Sequence, residues 1–252
     1  MTHIQLDSVK KSFPKGDGEH ETVLRGVSLD IPSGSFTTIM GPSGCGKTTL
    51  LNIIAGILTE DSGAIKEDGI PTRPDERTYS YVFQEPRLLP WETVSDNLSF
   101  AMQAWGVPKA EHEELIVRYL EMVDLGDVGD SYPSELSGGM QQRIGIARAL
   151  AVGSDVILMD EPFSSLDEIT ASALRDDLIE LWQETEKTIV FITHDLNEAV
   201  YLSDTVYFLG TDGTVLSTRS VDVPRPRSID DDRLREIETD FLSIMHQHID
   251  NK

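Results

Sequence analysis

The sequence contains a single cysteine, Cys45, among its 252 residues. One thiol excludes an internal disulfide, so the fold must depend on noncovalent packing, and it fits a reducing compartment. Apolar residues make up 39% of the chain, which is ample for a hydrophobic core. The length is sufficient for one large domain or two small ones.

Long apolar runs are also absent. No stretch of about 18 or more apolar residues occurs, so no membrane-spanning helix is predicted. The first residues, MTHIQLDSVKKSF, lack the apolar centre of a signal peptide. The sequence therefore predicts a cytosolic protein.

Basic residues are few, since 21 Lys and Arg stand against 44 Asp and Glu for a net charge of −23. A nucleic-acid partner would need a basic surface and is not expected. Attraction to anionic lipid is disfavoured for the same reason. The acidic residues are spread along the chain, with only short clusters such as DDD at 230–232.

This acidic surface has two interpretations. One hypothesis is an organism with high internal salt, where strong screening makes such a surface tolerable. The alternative is an ordinary acidic protein. Unfolding followed against KCl separates the two, because full stability at low salt contradicts the halophilic interpretation.

Short apolar runs alternate with helical patterns, which predicts the α/β class with helices covering a parallel sheet. Buried strands are predicted at 35–40, 155–160, 188–193 and 205–210, and helices after residue 48, over 110–123 and over 167–185. In the last helix an apolar stripe is predicted to pack in the core; it consists of Ile169, Leu174, Leu178, Leu181 and Trp182.

Three further segments complete the predicted organisation. The alternation at 3–9 and 23–31 indicates an N-terminal antiparallel β subdomain. Residues 85–150 are predicted as a helical subdomain inserted into the α/β core. A main domain is predicted over 1–220, and a tail over 221–252 carries an amphipathic helix with Leu234, Ile237, Phe241 and Ile244. The sequence leaves open whether this helix docks on the core or on a partner.

A glycine-rich turn, GPSGCGKTT, lies between a predicted strand and a predicted helix. Gly41, Gly46, Lys47 and Thr48 fit the phosphate-loop pattern in the context that it requires. Glycines let backbone N–H groups converge on phosphate oxygens, and the helix N-terminus adds favourable potential. Lys47 is expected to reach the β- and γ-phosphates, and the Thr48 hydroxyl to bind Mg²⁺. The predicted nucleotide-binding residues of this loop are Gly41, Pro42, Ser43, Gly44, Cys45, Gly46, Lys47, Thr48 and Thr49.

Two further strands are predicted to end at the same sheet edge. DVILMDEP delivers Asp160, a candidate Mg²⁺ ligand, and Glu161, a candidate general base for water. TIVFITHD ends at His194, which can sense the γ-phosphate and orient Glu161 or the water. A structural role is the simpler interpretation for the remaining histidines, and none forms a cluster with metal-ligand spacing: His3, His20, His112, His246 and His248.

A second glycine turn occurs in ELSGGMQQR at 135–143. By itself, a Ser-Gly-Gly tripeptide is usually a loop. Together with GPSGCGKTT, the glutamine of VFQEP, ILMDEP, SSLD and the histidine of ITHD, it makes the sequence resemble the ATP-binding subunits of ABC transporters. The resemblance extends to about residue 220, and LSGGM distinguishes this family from kinases and GTPases, which share only some of the motifs.

The resemblance implies a RecA-like P-loop NTPase core that binds ATP and Mg²⁺ and acts as a homodimer. Two copies would pack head to tail, with each ATP between the P-loop of one copy and the LSGGM turn of the other. Ser137 can cap the helix and contact the γ-phosphate, while Gly138 and Gly139 permit close backbone approach. Two glycine turns are then needed because neither copy alone has a complete site.

The resemblance also suggests roles for other residues. Gln84 would contact Mg²⁺ or the attacking water, and residues 85–91 would receive a short helix of the membrane permease. Phe13 would stack on adenine, although an ordinary core phenylalanine is the alternative. Asp167 would lie at the dimer interface. Because Cys45 lies within the phosphate loop, a thiol reagent is expected to block nucleotide binding.

Several segments resemble the nitrate, sulfonate, taurine and thiamine-precursor importers, among them VFQEPRLLPWETVSDNLSF, THDLNEAVYLSD and RPRSIDDDRLREIETDFL. This branch implies an ATPase at the cytoplasmic face of the membrane, working with permease subunits and, indirectly, a solute-binding protein. The alternative is a soluble ABC ATPase without a permease, of the cluster-assembly, repair or translation type. A module that holds ATP without turnover is disfavoured by the intact Lys47, Asp160, Glu161 and His194.

Overall fold

The structure is a computed structural model that describes residues 1–16, 18–228 and 231–249, with side chains up to residue 243. Asp230 of the acidic cluster and the side chains of Ile244, His246 and His248 therefore lie outside the described residues. The chain forms two compact units, one of Met1–Thr78 with Lys187–Lys252 and one of Tyr79–Glu186.

The described residues form ten strands and seven α-helices. The strands are β1 (Ile4–Pro14), β2 (His20–Ile31), β3 (Phe36–Met40), β4 (Ser62–Glu67), β5 (Ile70–Pro71), β6 (Ser80–Val82), β7 (Val156–Asp160), β8 (Thr188–Thr193), β9 (Thr205–Leu209) and β10 (Val215–Ser220). The helices are α1 (Lys47–Ile54), α2 (Val94–Ala104), α3 (His112–Met122), α4 (Gly138–Ala151), α5 (Glu168–Thr185), α6 (Leu196–Leu202) and α7 (Asp232–Ile249).

The first unit begins with the predicted antiparallel β subdomain. Strand β1 pairs antiparallel with β2 on one side and with β4 on the other, and β5 extends the sheet from β4. Ile4, Leu6 and Val9 of β1 are buried, while Asp7 and Ser8 are exposed. This pattern is typical of a sheet that packs one face on a core.

The first unit also contains parallel strands. Strand β3 pairs in parallel with β8 on one side and with β9 on the other, and β10 joins β9 antiparallel. Every residue of β3 and β8 is buried. Continuous burial is expected where both faces of a parallel sheet are covered, and it explains why FTTIM and TIVFIT contain no charged residue.

The second unit contains the helical insert of the fold. Helices α2, α3 and α4 lie between Val94 and Ala151, and β6 pairs in parallel with β7. This unit runs from Tyr79 to Glu186 and includes α5. The bounds 85–150 for the helical subdomain stay a prediction.

The predicted apolar stripe of α5 is buried at its three leucines, half-buried at Trp182 and exposed at its first residue. Leu174, Leu178 and Leu181 are buried, whereas Ile169 is 85% exposed. Ile169 lies in the first turn, two residues after the N-cap Asp167, so the helix has not yet reached the core there. The prediction that Ile169 packs in the core is therefore wrong.

The C-terminal helix α7 docks on the core of its own unit, which resolves an alternative that the sequence leaves open. Leu234 and Phe241 are buried in a cluster with Val200, Phe208 and Val223. Ile237 packs against the same cluster. None of the helices within the described ranges is long and apolar enough to cross a bilayer.

A buried arginine ties the chain before α7 to the rest of its unit. Arg227 is 8% exposed. Its guanidinium donates to five backbone carbonyls at 2.7–3.0 Å, those of Val200, Tyr201, Ser203, Val221 and Val223. Burial, reinforced by the nearby Arg225, lowers the pKa of Arg227 to about 10.

We expect Arg227→Met to lower the free energy of unfolding by about 3 kcal/mol, because buried carbonyls left without donors each carry a desolvation cost. Urea unfolding at fixed KCl measures this change. Arg219→Met is the matched control, because Arg219 is exposed on β10 and its guanidinium donates to the carbonyl of its neighbour Thr218. Equal stability of the two variants would contradict the role of Arg227.

Candidate nucleotide site

The phosphate loop connects the end of β3 at Met40 to the start of α1 at Lys47. Gly46 is the residue before α1 and has φ of 103°, in the left-handed region. A Cβ at this position would also lie 2.8 Å from Val23 Cγ1. Both conditions require glycine here, so the local backbone explains this element of the motif.

Gly41 begins the loop in a confined position. A Cβ on Gly41 would lie 2.3 Å from the carbonyl oxygen of Leu209 and 2.9 Å from Cys45 Sγ. The backbone at Leu209 cannot yield easily, because β9 is a central strand paired with β3 and β10. Glycine at 41 therefore lets the chain leave β3 close to β9.

Lys47 is buried against the loop. It is 6% exposed, and its Nζ donates to the carbonyl oxygens of Gly41 at 2.7 Å and Pro42 at 3.1 Å. The ammonium is thus held inside the curve of the loop. Ser43, Gly44 and Thr48 are exposed along the same loop, so an anion can reach their backbone N–H groups and the Thr48 hydroxyl.

The structure argues against rapid alkylation of Cys45. The side chain is 2% exposed. Burial raises its pKa, and the nearby Lys47 opposes that effect only in part. Since the thiolate is the reactive form, we expect a thiol reagent to react slowly at neutral pH. The expectation that such a reagent readily blocks nucleotide binding is revised accordingly.

His194 lies at the same sheet edge as the phosphate loop. Met40 of β3 pairs with Thr193 of β8 in parallel register, so both chains leave the sheet at its carboxyl edge. His194 follows β8 directly and is exposed. Asp195 caps α6 by accepting from the N–H groups of Asn197 and Glu198, which fixes the backbone immediately after the histidine.

Phe13 lies on β1 of the same unit and is half-buried. The Lys11 ammonium is 5.6 Å from the centroid of its ring. The Phe13 side chain is therefore not fully buried. Stacking on adenine stays a prediction.

Two of the other histidines, His112 and His3, have contacts typical of structural residues. His112 is buried, with Nδ1 2.9 Å from Ser99 Oγ and Nε2 3.0 Å from the Val107 carbonyl oxygen. His3 Nε2 lies 2.8 Å from a carboxylate oxygen of Asp30.

In the second unit, the acidic pair lies at the end of a buried strand. Asp160 is the last residue of β7 and is 3% exposed. Glu161 follows in the left-handed region with φ of 45°. Its carbonyl oxygen accepts from the backbone N–H and the hydroxyl of Ser164. A non-glycine residue in this region is uncommon and is found preferentially at functional sites.

Asp160 has a neighbour on the adjacent strand. The Tyr81 hydroxyl is hydrogen-bonded to the Asp160 carboxylate, and burial, followed by that negative charge, raises the pKa of Tyr81. The phenol therefore stays protonated and is the donor of this bond. The sequence interpretation missed this residue, although YVF already places Tyr81 and Phe83 on one face of a short strand.

Gln84 is exposed in the segment that follows β6. Helix α4 holds the backbone around it: Gln142 Nε2 donates to the Phe83 carbonyl oxygen at 3.1 Å. Arg148 donates to the carbonyl oxygens of Pro86 at 2.7 Å and Arg87 at 2.9 Å. The segment with Gln84 is therefore attached to the helix that starts at the second glycine turn.

The second glycine turn forms the exposed start of α4. Ser137 is the N-cap, and its hydroxyl accepts from the Met140 N–H at 3.3 Å. Ser137 and Gly138 are exposed, and a Cβ on Gly138 would meet no atom within 4 Å. A Cβ on Gly139 would lie 3.3 Å from Leu166 Cδ2, so this turn lies against the SSLD segment.

Asp167 of that segment has a structural role that the sequence interpretation did not include. It is the N-cap of α5, and its carboxylate accepts from the Thr170 N–H at 3.0 Å and the Thr170 hydroxyl at 2.8 Å. These bonds lower the pKa of Asp167. The pattern D-x-x-T before a helical stripe could have predicted the cap. Its place at a dimer interface stays a prediction.

Comparison with known proteins identifies the family. The family described as ABC transporter matches residues 24–164. The chain is 39% identical to the taurine import ATP-binding protein TauB of Chromobacterium violaceum, over 98% of this chain and 94% of that protein. It is 34% identical to the nitrate import ATP-binding protein NrtD of Synechococcus elongatus, over 97% of this chain and 92% of that protein.

A solved structure agrees with the fold. The dimeric ATP-binding cassette MJ0796, in a post-hydrolysis state bound to ADP and Pi, superposes with a TM-score of 0.80 at 32% identity. The match covers 88% of this chain and all of the other. The chain therefore belongs to the ABC transporter family, as one of its ATPases.

Proposed function

We propose that this protein is the ATPase subunit of an ABC importer, working at the cytoplasmic face of a membrane and driving uptake of a solute through permease subunits. Support comes from two relatives named as import ATP-binding proteins that align over nearly the whole length of both chains. A permease-free ABC ATPase is not proposed, because those relatives are named for import.

One observation carries the ATPase assignment: the ammonium of Lys47 is buried inside the phosphate loop between the Gly41 and Pro42 carbonyls. From this position it can donate to phosphate oxygens as a charged partner. The loop backbone from Gly41 to Thr49 would bind the remaining phosphate oxygens, and Phe13 would stack on adenine. His194, at the same sheet edge, would sense the terminal phosphate.

The residues fit a Mg²⁺ ion by their chemistry. Asp160 supplies a carboxylate, Thr48 a hydroxyl and Gln84 an amide oxygen, and Mg²⁺ prefers oxygen ligands. Among the residues that the structure describes, no cluster of three or more His, Cys, Asp or Glu could hold a metal. Mg²⁺ is usually bound by one or two protein oxygens together with substrate phosphates and water. When bound, the ion neutralises charge that develops on the phosphates.

We assign proton abstraction to Glu161. Its carboxylate would accept a proton from the attacking water. The turn after Glu161 is closed by the Ser164 hydroxyl, which donates to the Glu161 carbonyl oxygen at 3.0 Å. His194 and Gln84 would position the water.

The exposed LSGGM turn is proposed to complete the ATP site of a second copy. Ser137 and Gly138 present an open, capped helix start, which is a suitable place for a phosphate. The dimeric state of the MJ0796 cassette supports this pairing. Asp167 would lie in the same dimer interface. A solute-binding protein would deliver the solute to the permease.

The dimer is tested with Ser137→Asp, which keeps an N-cap residue as good as serine but adds a carboxylate where a phosphate would lie. We expect ATP-driven dimerisation and hydrolysis to be lost, while the dilute monomer binds ATP as tightly as the wild type does. Ser134→Asp is the control, because Ser134 is also exposed and lies three residues earlier. Weaker ATP binding by the dilute Ser137→Asp monomer would instead place the turn at the chain's own nucleotide.

A further inference from the structure

The strand register of the second unit brings Tyr81 to the side of Asp160. Tyr81 pairs with Leu158 in the parallel β6–β7 ladder. Asp160 is two residues beyond Leu158, so its side chain emerges on the same face of the sheet. The Tyr81 hydroxyl is hydrogen-bonded to the Asp160 carboxylate across this short diagonal.

We propose that Tyr81 is a positioning residue that holds the Asp160 carboxylate in the orientation required of a metal ligand. The inference rests on the proposed function, in which Asp160 binds Mg²⁺. A carboxylate has about four lone-pair sites on its two oxygens, so it can accept from the phenol and also bind a metal. Outer hydrogen bonds of this kind fix the direction of a ligand and contribute to metal affinity.

The ring of Tyr81 is itself held in place. It stacks on the Phe83 ring, with centroids 4.2 Å apart and planes inclined by 25°. The Arg87 guanidinium lies over the Phe83 ring, 4.3 Å from its centroid. These contacts restrict the rotation of both aromatic side chains, so the hydroxyl is aimed at Asp160 by the packing around it.

The same stack reaches the segment that contains Gln84. Phe83 precedes Gln84, and α4 holds the main chain at Phe83, Pro86 and Arg87 through Gln142 and Arg148. A displacement of this segment would therefore move the phenol that orients Asp160. Movement of the residues after β6 can therefore change the orientation of the Asp160 carboxylate through Phe83 and Tyr81, without involving the Gln84 side chain.

Tyr81→Phe tests the proposal, because it removes the hydroxyl and keeps the ring and its stack. The readout is Mn²⁺ binding by electron paramagnetic resonance, with a non-hydrolysable ATP analogue present at saturation. We expect the Mn²⁺ dissociation constant to rise about 10-fold, within the range typical of lost outer hydrogen bonds. Affinity for the analogue in EDTA should not change, because the phosphate loop is untouched.

Tyr119→Phe is the matched control, since it removes the hydroxyl of another tyrosine of the second unit, which is buried on α3. An Mn²⁺ dissociation constant that is the same in Tyr81→Phe and the wild type overturns the proposal. If the wild-type protein binds the ATP analogue but does not bind Mn²⁺ in its presence, the proposed Mg²⁺ site is wrong. The role of Tyr81 is then contradicted as well. The two failures are therefore distinguishable.

Discussion

Glu161→Gln is expected to lower the rate of ATP hydrolysis by about 10²–10⁴-fold, the usual contribution of a general base. The amide has almost the same shape as the carboxylate but cannot accept the proton of the attacking water. ATP binding and dimerisation should continue, so the variant should accumulate as an ATP-bound dimer. Phosphate release and size-exclusion chromatography with ATP measure the two effects.

The structure provides a matched control for this substitution. Glu186→Gln makes the same change at another non-glycine residue in the left-handed region, with φ of 50°, against 45° at Glu161. Glu186 is the exposed C-cap of α5. A general effect of the substitution on such a backbone would therefore appear in both variants. Unchanged turnover in Glu161→Gln would contradict the role of this residue as a base.

Lys47→Met is expected to weaken ATP binding about 100-fold, which corresponds to about 2.7 kcal/mol. Methionine retains an apolar stem of similar length but lacks the charged donor that would reach the phosphates. Hydrogen bonds to charged groups contribute about 1.5–3 kcal/mol each, so the predicted loss requires only one or two. Titration with a fluorescent ATP analogue measures the change.

Lys47 also stabilises the loop, so the variant needs a stability measurement. Its ammonium donates hydrogen bonds to two loop carbonyls, and the loss of these two hydrogen bonds should also lower the melting temperature. Lys15→Met is the control for removal of a lysine charge, because Lys15 is exposed and forms an ion pair with the exposed Glu21 at 3.6 Å. A folded Lys47→Met variant with wild-type ATP affinity would show that the lysine does not contact the phosphates.

Much of the α/β arrangement follows from patterns that are visible in the sequence. FTTIM and TIVFIT are recognisable as strands because both faces are buried, and short uncharged runs rich in β-branched residues are typical of central parallel strands. The phosphate loop is recognisable because the local backbone requires glycine, as at Gly46, whose φ lies in the left-handed region. These features are set by contacts close in the sequence or by burial on every side.

Features that depend on distant contacts were not predictable. Arg227 has the sequence context of a surface arginine in a polar tail, yet its guanidinium is enclosed by five carbonyls from two separate segments. The stripe of α5 follows helical spacing at Ile169, but burial depends on how far the helix overlaps the core, and Ile169 lies before that overlap. Cys45 has the sequence context of an accessible loop thiol, but its side chain turns inward against Gly41.

In the candidate site, too, some residues are recognisable from local sequence and others depend on distant contacts. Asp160 and Glu161 are recognisable from their place after VILM. The partner of Asp160 is not, because Tyr81 is separated from it by the whole helical insert in sequence and is brought near only by the β6–β7 register. The N-cap role of Asp167 is an intermediate case, since its signal is local.

The most direct test of the importer assignment is affinity purification of this protein from its native membrane fraction, at the salt concentration of the cell, followed by identification of the proteins that co-elute. We predict a polytopic permease in stoichiometric amount, retained when the same preparation is made with Glu161→Gln. Recovery of soluble partners alone, or of none, from an intact membrane preparation would contradict the assignment.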